Sequence, residues 1–540
     1  MIEQFKALFV VFTLAAGAFA FASVAYREHL TPARIARWRN LFLAASIASF
    51  LVPNYWAVIF LVAVIALALG VGEKNRPAIY LVLLFAFPAV TETVPGFAGI
   101  RNFLDIGPFH ILAIVILFPL LLRRQETASF RRYGSLADYC FIAFSTLSLV
   151  LAFRGTNFTD GIRQATTYAL TAFGPYLVFS RYYWTKERLT EASLAYVIPM
   201  IALAGVALAE TVLGWHFYAN AVANWDISFF FRYLARSGYL RAYASVFGPI
   251  SFGLFLLIAV SLALAILVIS KRKPLPAIGL FAVGVGLIVT FSRGPWIGAA
   301  FASFVVAATS AQPVQNILRL GGAGLAVFVV AALTPIGPEL ISMLPFVGTV
   351  AGNTIDYRER LFEVGIGVAM RNPIFGSENY LQTPAMQSLI QGQGIIDLVN
   401  TYLRVVLETG FVGLALFVGV SGFAALSALR AIGTARRLDP AYAALVQAWF
   451  AALLGVMLTL ATTTNVVAQI AEVHWMLCGI CVGLARSVRM AVAESAKAPP
   501  AEPSNAPPLA PPPAPGPSQA MTLPADRLPP HLRQYANREK

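Results

Sequence analysis

The chain has 540 residues, 58% of them hydrophobic and only 12% charged, and its formal charge is +14 at pH 7. Soluble globular chains carry about 25% charged residues, so a soluble fold is excluded. The positive charge fits basic loops beside membrane spans better than a nucleic-acid surface. Three cysteines, Cys140, Cys478 and Cys481, provide neither a disulfide framework nor a metal cluster.

Apolar runs of spanning length recur from the N-terminus to about residue 489. They are continuous rather than alternating, which argues for helices and against a barrel. The expected fold is an all-α polytopic integral membrane protein with about 12–15 transmembrane helices and one long external loop. In chain order, spans are predicted at about 7–25, 41–53, 55–72, 78–94, 109–122, 137–153, 165–180, 193–213, 244–270, 274–291, 295–311, 318–334, 400–425, 442–463 and 473–489. The first reads as a retained span rather than a signal peptide. Lys6 is offset by Glu3, and the run continues to a basic flank at Arg27. Residues 1–489 thus form a membrane-embedded domain. Residues 490–540, with Pro511-Pro512-Pro513, read as a disordered Pro-rich cytoplasmic tail.

Six basic clusters fall on one side of these spans. They are Arg34/Arg37/Arg39, Lys74/Arg76, Arg123/Arg124/Arg131/Arg132, Arg181/Lys186/Arg188, Lys271/Arg272/Lys273 and Arg430/Arg436/Arg437. The positive-inside rule assigns that side to the cytoplasm. The loops 95–108, 154–164, 214–243, 335–399 and 464–472 then lie outside. The loop at about 335–399 is unusually long, and loops of that length are functional or disordered.

Four external elements carry polar residues against apolar walls. Arg232, Arg236 and Arg241 sit in an aromatic-rich loop, where they either snorkel or form a cationic rim for an anionic head group. Ser292-Arg293-Gly294-Pro295 makes a tight turn, yet places an arginine against the charge bias. In the long loop, 357–371 reads as a helix ended by Asn372-Pro373. Arg360 and Glu363 are spaced as an ordinary pair there, whereas Arg358 has no acid at helical spacing after it. Asp397, Asn400, Arg404 and Glu408 are spaced along one helix face, as an Arg404–Glu408 pair or as the lining of a watery cavity. His216 and His474 read as interfacial or structural, and no Gly-rich phosphate loop or serine-hydrolase elbow occurs.

These motifs occur in a telling order. Arg241-Ala242 and Phe247-Gly248-Pro249 precede Thr290-Phe291-Ser292-Arg293-Gly294. Then come two spans, the loop with Arg360 and Asn372-Pro373-Ile374-Phe375-Gly376, Asn400-Thr401-Tyr402-Leu403, and Glu408-Thr409-Gly410-Phe411-Val412-Gly413. Over about residues 237–425 this resembles the O-antigen ligase/polymerase superfamily. The resemblance implies a metal-independent glycosyltransferase without a cofactor, in the bacterial cytoplasmic membrane with its active face outside. It implies a polyprenyl-pyrophosphate-linked glycan donor, a glycan acceptor, contact with membrane lipids and a chain-length regulator as partner. No nucleic acid is implied. Arg293, Arg358, Arg360 and Arg241 are the expected pyrophosphate ligands, and Asn400 and Arg404 the cavity-shaping residues. Ligases of the family often carry a histidine where this chain has Val399. That departure favours a polymerase of surface or secreted polysaccharide, with an O-antigen ligase or a lipid-linked glycan flippase as alternatives. The general base is then expected at Asp397 or Glu378.

Overall fold

The computed structural model describes all residues except 1, 71–72, 74, 97–101, 122–133, 156, 228–232, 237, 334–336, 338–340, 343–351, 392–393, 465–467 and 497–540. The chain divides into two compact units, residues 1–490 and 491–540. The Pro-rich segment expected to be disordered falls almost wholly outside the described residues, as do Arg123–Arg132 and Arg232.

The first unit is helical. Its helices are α1 (Ile2–Ala25), α2 (Pro32–Leu51), α3 (Tyr55–Gly70), α4 (Arg76–Leu83), α5 (Pro108–Leu121) and α6 (Leu136–Ala152). They are followed by α7 (Phe158–Tyr168), α8 (Gly174–Arg181), α9 (Lys186–Leu213), α10 (Phe217–Val222), α11 (Pro249–Ile269), α12 (Pro274–Val289), α13 (Arg293–Ala308) and α14 (Pro313–Ala332). Then come α15 (Gly352–Ala369), α16 (Pro384–Gln387), α17 (Thr401–Leu438), α18 (Pro440–Leu460) and α19 (Ala468–Ser495). Among the described residues, seven helices are long and apolar enough to cross a membrane, and four shorter apolar helices accompany them. The protein is therefore an all-α polytopic membrane protein.

Two expectations need amendment. The segment expected to span at 78–94 is helical only to Leu83; residues 84–90 turn through mostly buried, non-helical backbone, and the rest enters a strand. The break is stabilised by Ser245, whose carbonyl accepts from Ala89 N–H at 2.8 Å and whose hydroxyl donates to Phe85 O at 2.7 Å. Irregular backbone at membrane depth survives only where protein supplies such partners. Two antiparallel hairpins also occur, β1 (Glu92–Pro95) with β2 (Asn102–Ile106) and β3 (Ala235–Arg236) with β4 (Tyr239–Leu240).

The core is built on α11, which packs against α18, α12 and α13. Small residues permit this approach. A Cβ on Gly298 would lie 2.2 Å from Thr459 Oγ1, and one on Gly294 would lie 2.1 Å from Thr462 Oγ1. Without a hydrophobic drive between helices in lipid, such close backbone contact is what holds spans together. Several basic segments meet at one end. Arg34 and Arg37 reach Glu73 at 3.4 and 3.6 Å, Arg34 also pairs with Glu191, and Lys186 holds Asp439 at 2.6 Å.

Candidate functional site

The turn between α12 and α13 is the seat of the first polar cluster. Val289 ends one helix and Arg293 starts the next. Between them Phe291 takes a left-handed conformation at φ 46°, which a Cβ-bearing residue adopts at a cost of about 1–2 kcal/mol. The consequence is that carbonyls released from the helix end face sideways. Arg236 Nη1 donates to Phe291 O at 2.8 Å, and Arg241 donates to Thr290 O at 3.3 Å and to Ser292 Oγ at 2.9 Å. Tyr239 stacks on Phe291 at 5.9 Å. The β3–β4 hairpin thus lies on the turn and delivers two arginines beside Arg293.

The hairpin is also held from behind. Fully buried Glu210, near the end of α9, accepts the backbone N–H groups of Tyr243 and Ala244, both at 3.1 Å. Its second neighbour is the equally buried His216, at 3.2 Å. His216 stacks on Tyr243 at 3.7 Å. This histidine, read from sequence as interfacial or structural, is a bracing residue in the structure.

Arg358, on α15, completes the group. Its guanidinium donates to Thr462 O at 3.4 Å, next to the Gly294 contact. Arg358 is exposed as a whole residue, and partial burial of its guanidinium lowers its pKa, with Asp397 opposing the shift and Arg293 adding to it. Arg236 is lowered by burial, then by Arg293 and Arg358. Arg241 is pushed down to about 10 by burial and then by Arg236. Four guanidinium groups are therefore linked neighbour to neighbour, and the Asp397 carboxylate acts on Arg358. Tyr357 fixes the Asp397 backbone, since its hydroxyl accepts from Asp397 N–H at 3.1 Å and donates to Asp397 O at 3.2 Å.

Other expected residues lie elsewhere. Arg360 is exposed, two residues beyond Arg358 on α15, and so faces the opposite side of the helix. No ion pair joins it to Glu363. Asp397 precedes α17 rather than lying on its face, and Asn400 is the N-cap of that helix, accepting from Tyr402 and Leu403 N–H at 2.9 and 3.1 Å. Arg404 pairs with Glu408 at 2.6 Å, and Tyr380 donates to the same carboxylate at 3.2 Å.

Glu378 and Arg404 line a different cavity of about 680 Å³, together with Arg154, Arg163 and Glu408. Its lining does not include Arg241, Arg293, Arg358 or Asp397. Arg154 went unremarked in the sequence. Its signal is an arginine after a span on the side away from the basic clusters. It donates to Phe375 O at 2.7 Å, to Gly376 O at 3.3 Å and to Glu408 O. In sequence Arg236 shares the aromatic-rich loop of the cationic rim, and only the hairpin geometry sets it beside the expected pyrophosphate ligands. Among the described residues, no three His, Cys, Asp or Glu side chains gather in a way that holds a metal ion.

The Asn372–Gly376 and Glu408–Gly413 motifs meet directly. Gly376 and Gly410 have φ of 64° and 72°. A Cβ on Gly410 would lie 2.1 Å from Ile374 O, and one on Gly376 would lie 2.5 Å from Leu407 O. Phe411 N–H donates to Pro373 O at 2.7 Å, and Ser377 N–H to Leu407 O at 2.8 Å. Gly410 breaks the helical geometry inside α17, so the kink and the loop turn interlock.

No curated protein matches the chain. Residues 277–418 match the family described as O-Antigen ligase, a stretch that contains the α12–α13 turn, Arg358, both interlocked glycines and Asn400. This segment supports the O-antigen ligase/polymerase assignment that the order of the motifs suggests.

Proposed function

We propose that the protein polymerises polyprenyl-pyrophosphate-linked oligosaccharide units into a surface or secreted polysaccharide at the outer face of the bacterial cytoplasmic membrane. The observation that supports this reading is the run of neighbouring guanidinium groups, Arg241 beside Arg236, Arg236 beside Arg293 and Arg358, with Asp397 beside Arg358. Like charges held together near an apolar phase need a polyanion. A diphosphate diester supplies two negative charges and offers oxygens that guanidinium groups bind bidentately.

The reaction follows from that arrangement. An acceptor hydroxyl oxygen attacks the anomeric carbon of the donor sugar from the face opposite the diphosphate, with inversion. The bond from that carbon to the diphosphate oxygen breaks, and its electron pair leaves with the polyprenyl diphosphate. The hydroxyl proton passes to Asp397, the carboxylate beside Arg358. The leaving group gains charge as it departs, so fixed arginines stabilise the transition state more than the ground state. Glu378 lines the other cavity, which favours Asp397 as the base.

The test is purified protein in liposomes given lipid-linked repeat units. A ladder of longer glycans supports polymerisation. Product only when a lipid A core acceptor is added identifies a ligase. Intact lipid moved between leaflets without transfer identifies a flippase and overturns the reading.

A further inference from the structure

We propose that the cavity containing Glu378 and Arg404 is the binding site for the acceptor oligosaccharide. This deepens the transferase reading and rests on it. The cavity of about 680 Å³ lies within the range of ligand sites, about 300–1,000 Å³. Its composition differs from that of the arginine cluster. Three arginines, Arg154, Arg163 and Arg404, are balanced by three acids, Asp105, Glu378 and Glu408. A diphosphate placed there would meet as many carboxylates as guanidinium groups.

The occupant that fits is neutral overall, rich in hydroxyls and apolar on its ring faces. Aromatic side chains line the same space, with Phe144, Phe417 and Trp475 joined by Tyr168 and Tyr380. Aromatic faces take the C–H faces of a sugar ring, while charged acceptors and donors take its hydroxyls. A hydrocarbon chain would take water from Glu378 and from the Arg163–Asp160 and Arg404–Glu408 ion pairs without offering a hydrogen bond in return, which is unfavourable. Among the described residues no hydrogen bond engages Glu378, which is exposed and set against Gly155, where a Cβ would lie 2.6 Å from its Oε1. Its role in this arrangement is to bind sugar hydroxyls.

Position supports the same conclusion. The first turns of α17 stand between the two regions. Arg404 and Glu408 face the cavity, while Thr401 at the tip donates to Thr463 O at 2.8 Å, beside the Thr462 that Arg358 reaches. Asn400 and Arg404 are four residues apart, about 6 Å along a helix axis. A glycan seated in the cavity therefore presents its end near Asp397 and the donor.

The experiment uses the full chain in nanodiscs and, as probe, the oligosaccharide released by mild acid from the lipid-linked pool of the source bacterium. Binding is read by saturation-transfer NMR, and transfer from the intact lipid-linked unit is read in parallel. Arg163→Gln and Gln164→Ala change residues midway along α7; neither is buried and Gln164 is exposed, so both variants should fold, and size-exclusion profiles verify this. Each is expected to weaken oligosaccharide binding and raise the acceptor KM at least tenfold. kcat and inhibition by inorganic pyrophosphate should change less than threefold. Wild-type transfer with unaltered acceptor KM in both variants overturns the cavity assignment. A parallel loss of pyrophosphate inhibition also overturns it, because the cavity would then belong to the donor. Wild type that binds the oligosaccharide through these residues yet transfers nothing leaves the cavity a glycan site and sinks the transferase reading instead. Absence of oligosaccharide binding to wild type overturns the assignment outright.

Discussion

The two polar regions beside the 352–400 segment use the same residue type in opposite ways. Arg404 is neutralised by Glu408 at 2.6 Å, and Arg163 by Asp160 at 2.7 Å. Arg236 and Arg241 instead donate to carbonyls and a hydroxyl, which satisfy geometry without cancelling charge. An arginine held by dipoles keeps its field for a ligand, whereas one held by a carboxylate has largely spent it. The difference separates a place suited to a dianion from one suited to a neutral polar molecule.

The largest expected effect comes from breaking the first region. Arg293→Ala and Arg358→Ala should each lower polymer formation by roughly 10²–10³-fold, the scale of losing one preorganised charge stabiliser. Lysine at either position should restore little, since it lacks the planar fork. Polymer yield in a complemented knockout and initial rates in liposomes measure both. Arg236→Ala should resemble these variants, although the sequence alone did not single it out. Activity of that variant near wild type would remove it from the group.

Next in size is the interlock. Gly410→Ala forces a side chain into Ile374 O and a left-handed backbone, strain of about 1–3 kcal/mol before any clash. Lower thermal stability and faster proteolysis between residues 352 and 400 should accompany lost activity. Arg154→Ala should cost less than the Gly410 strain and its backbone clash together, about 1.5–3 kcal/mol for hydrogen bonds from a charged donor. It should slow transfer while leaving inhibition by inorganic pyrophosphate intact, because its contacts are with the loop turn. The smallest effect belongs to Arg360→Ala. Facing away from Arg358, it should change rates less than threefold, and a larger loss would bring Arg360 back among the pyrophosphate ligands.

Fold class was readable because apolar length is a local property of sequence. The break after Leu83 was not, because Leu84-Phe85-Ala86-Phe87 is as apolar as a span, and the partners of its irregular backbone, Ser245, Gln469 and Tyr55, are distant in sequence. Arg293 is recognisable in sequence as an arginine against the charge bias, and Arg358 as one with no acid at helical spacing after it. Arg236 needed the hairpin to bring it over Phe291, a contact between residues 55 apart. Asn400 was misleading in a specific way: its spacing matched a helix face, but an asparagine at the start of an apolar run is equally an N-cap, and capping is what it does. Arg404–Glu408 obeyed its i,i+4 spacing because both residues lie within one regular helical stretch.

The meeting of Gly376 with Gly410 has a consequence for how the chain tolerates change. Each glycine touches main-chain atoms of the other's segment, so neither neighbour can yield by rotating a side chain. Substitution at one position is not relieved by a smaller residue nearby; only a coordinated shift of both segments makes room. Sequence drift should therefore leave this junction untouched or rewrite it whole, which makes it a fixed point about which the rest of the extramembrane segment is free to diversify.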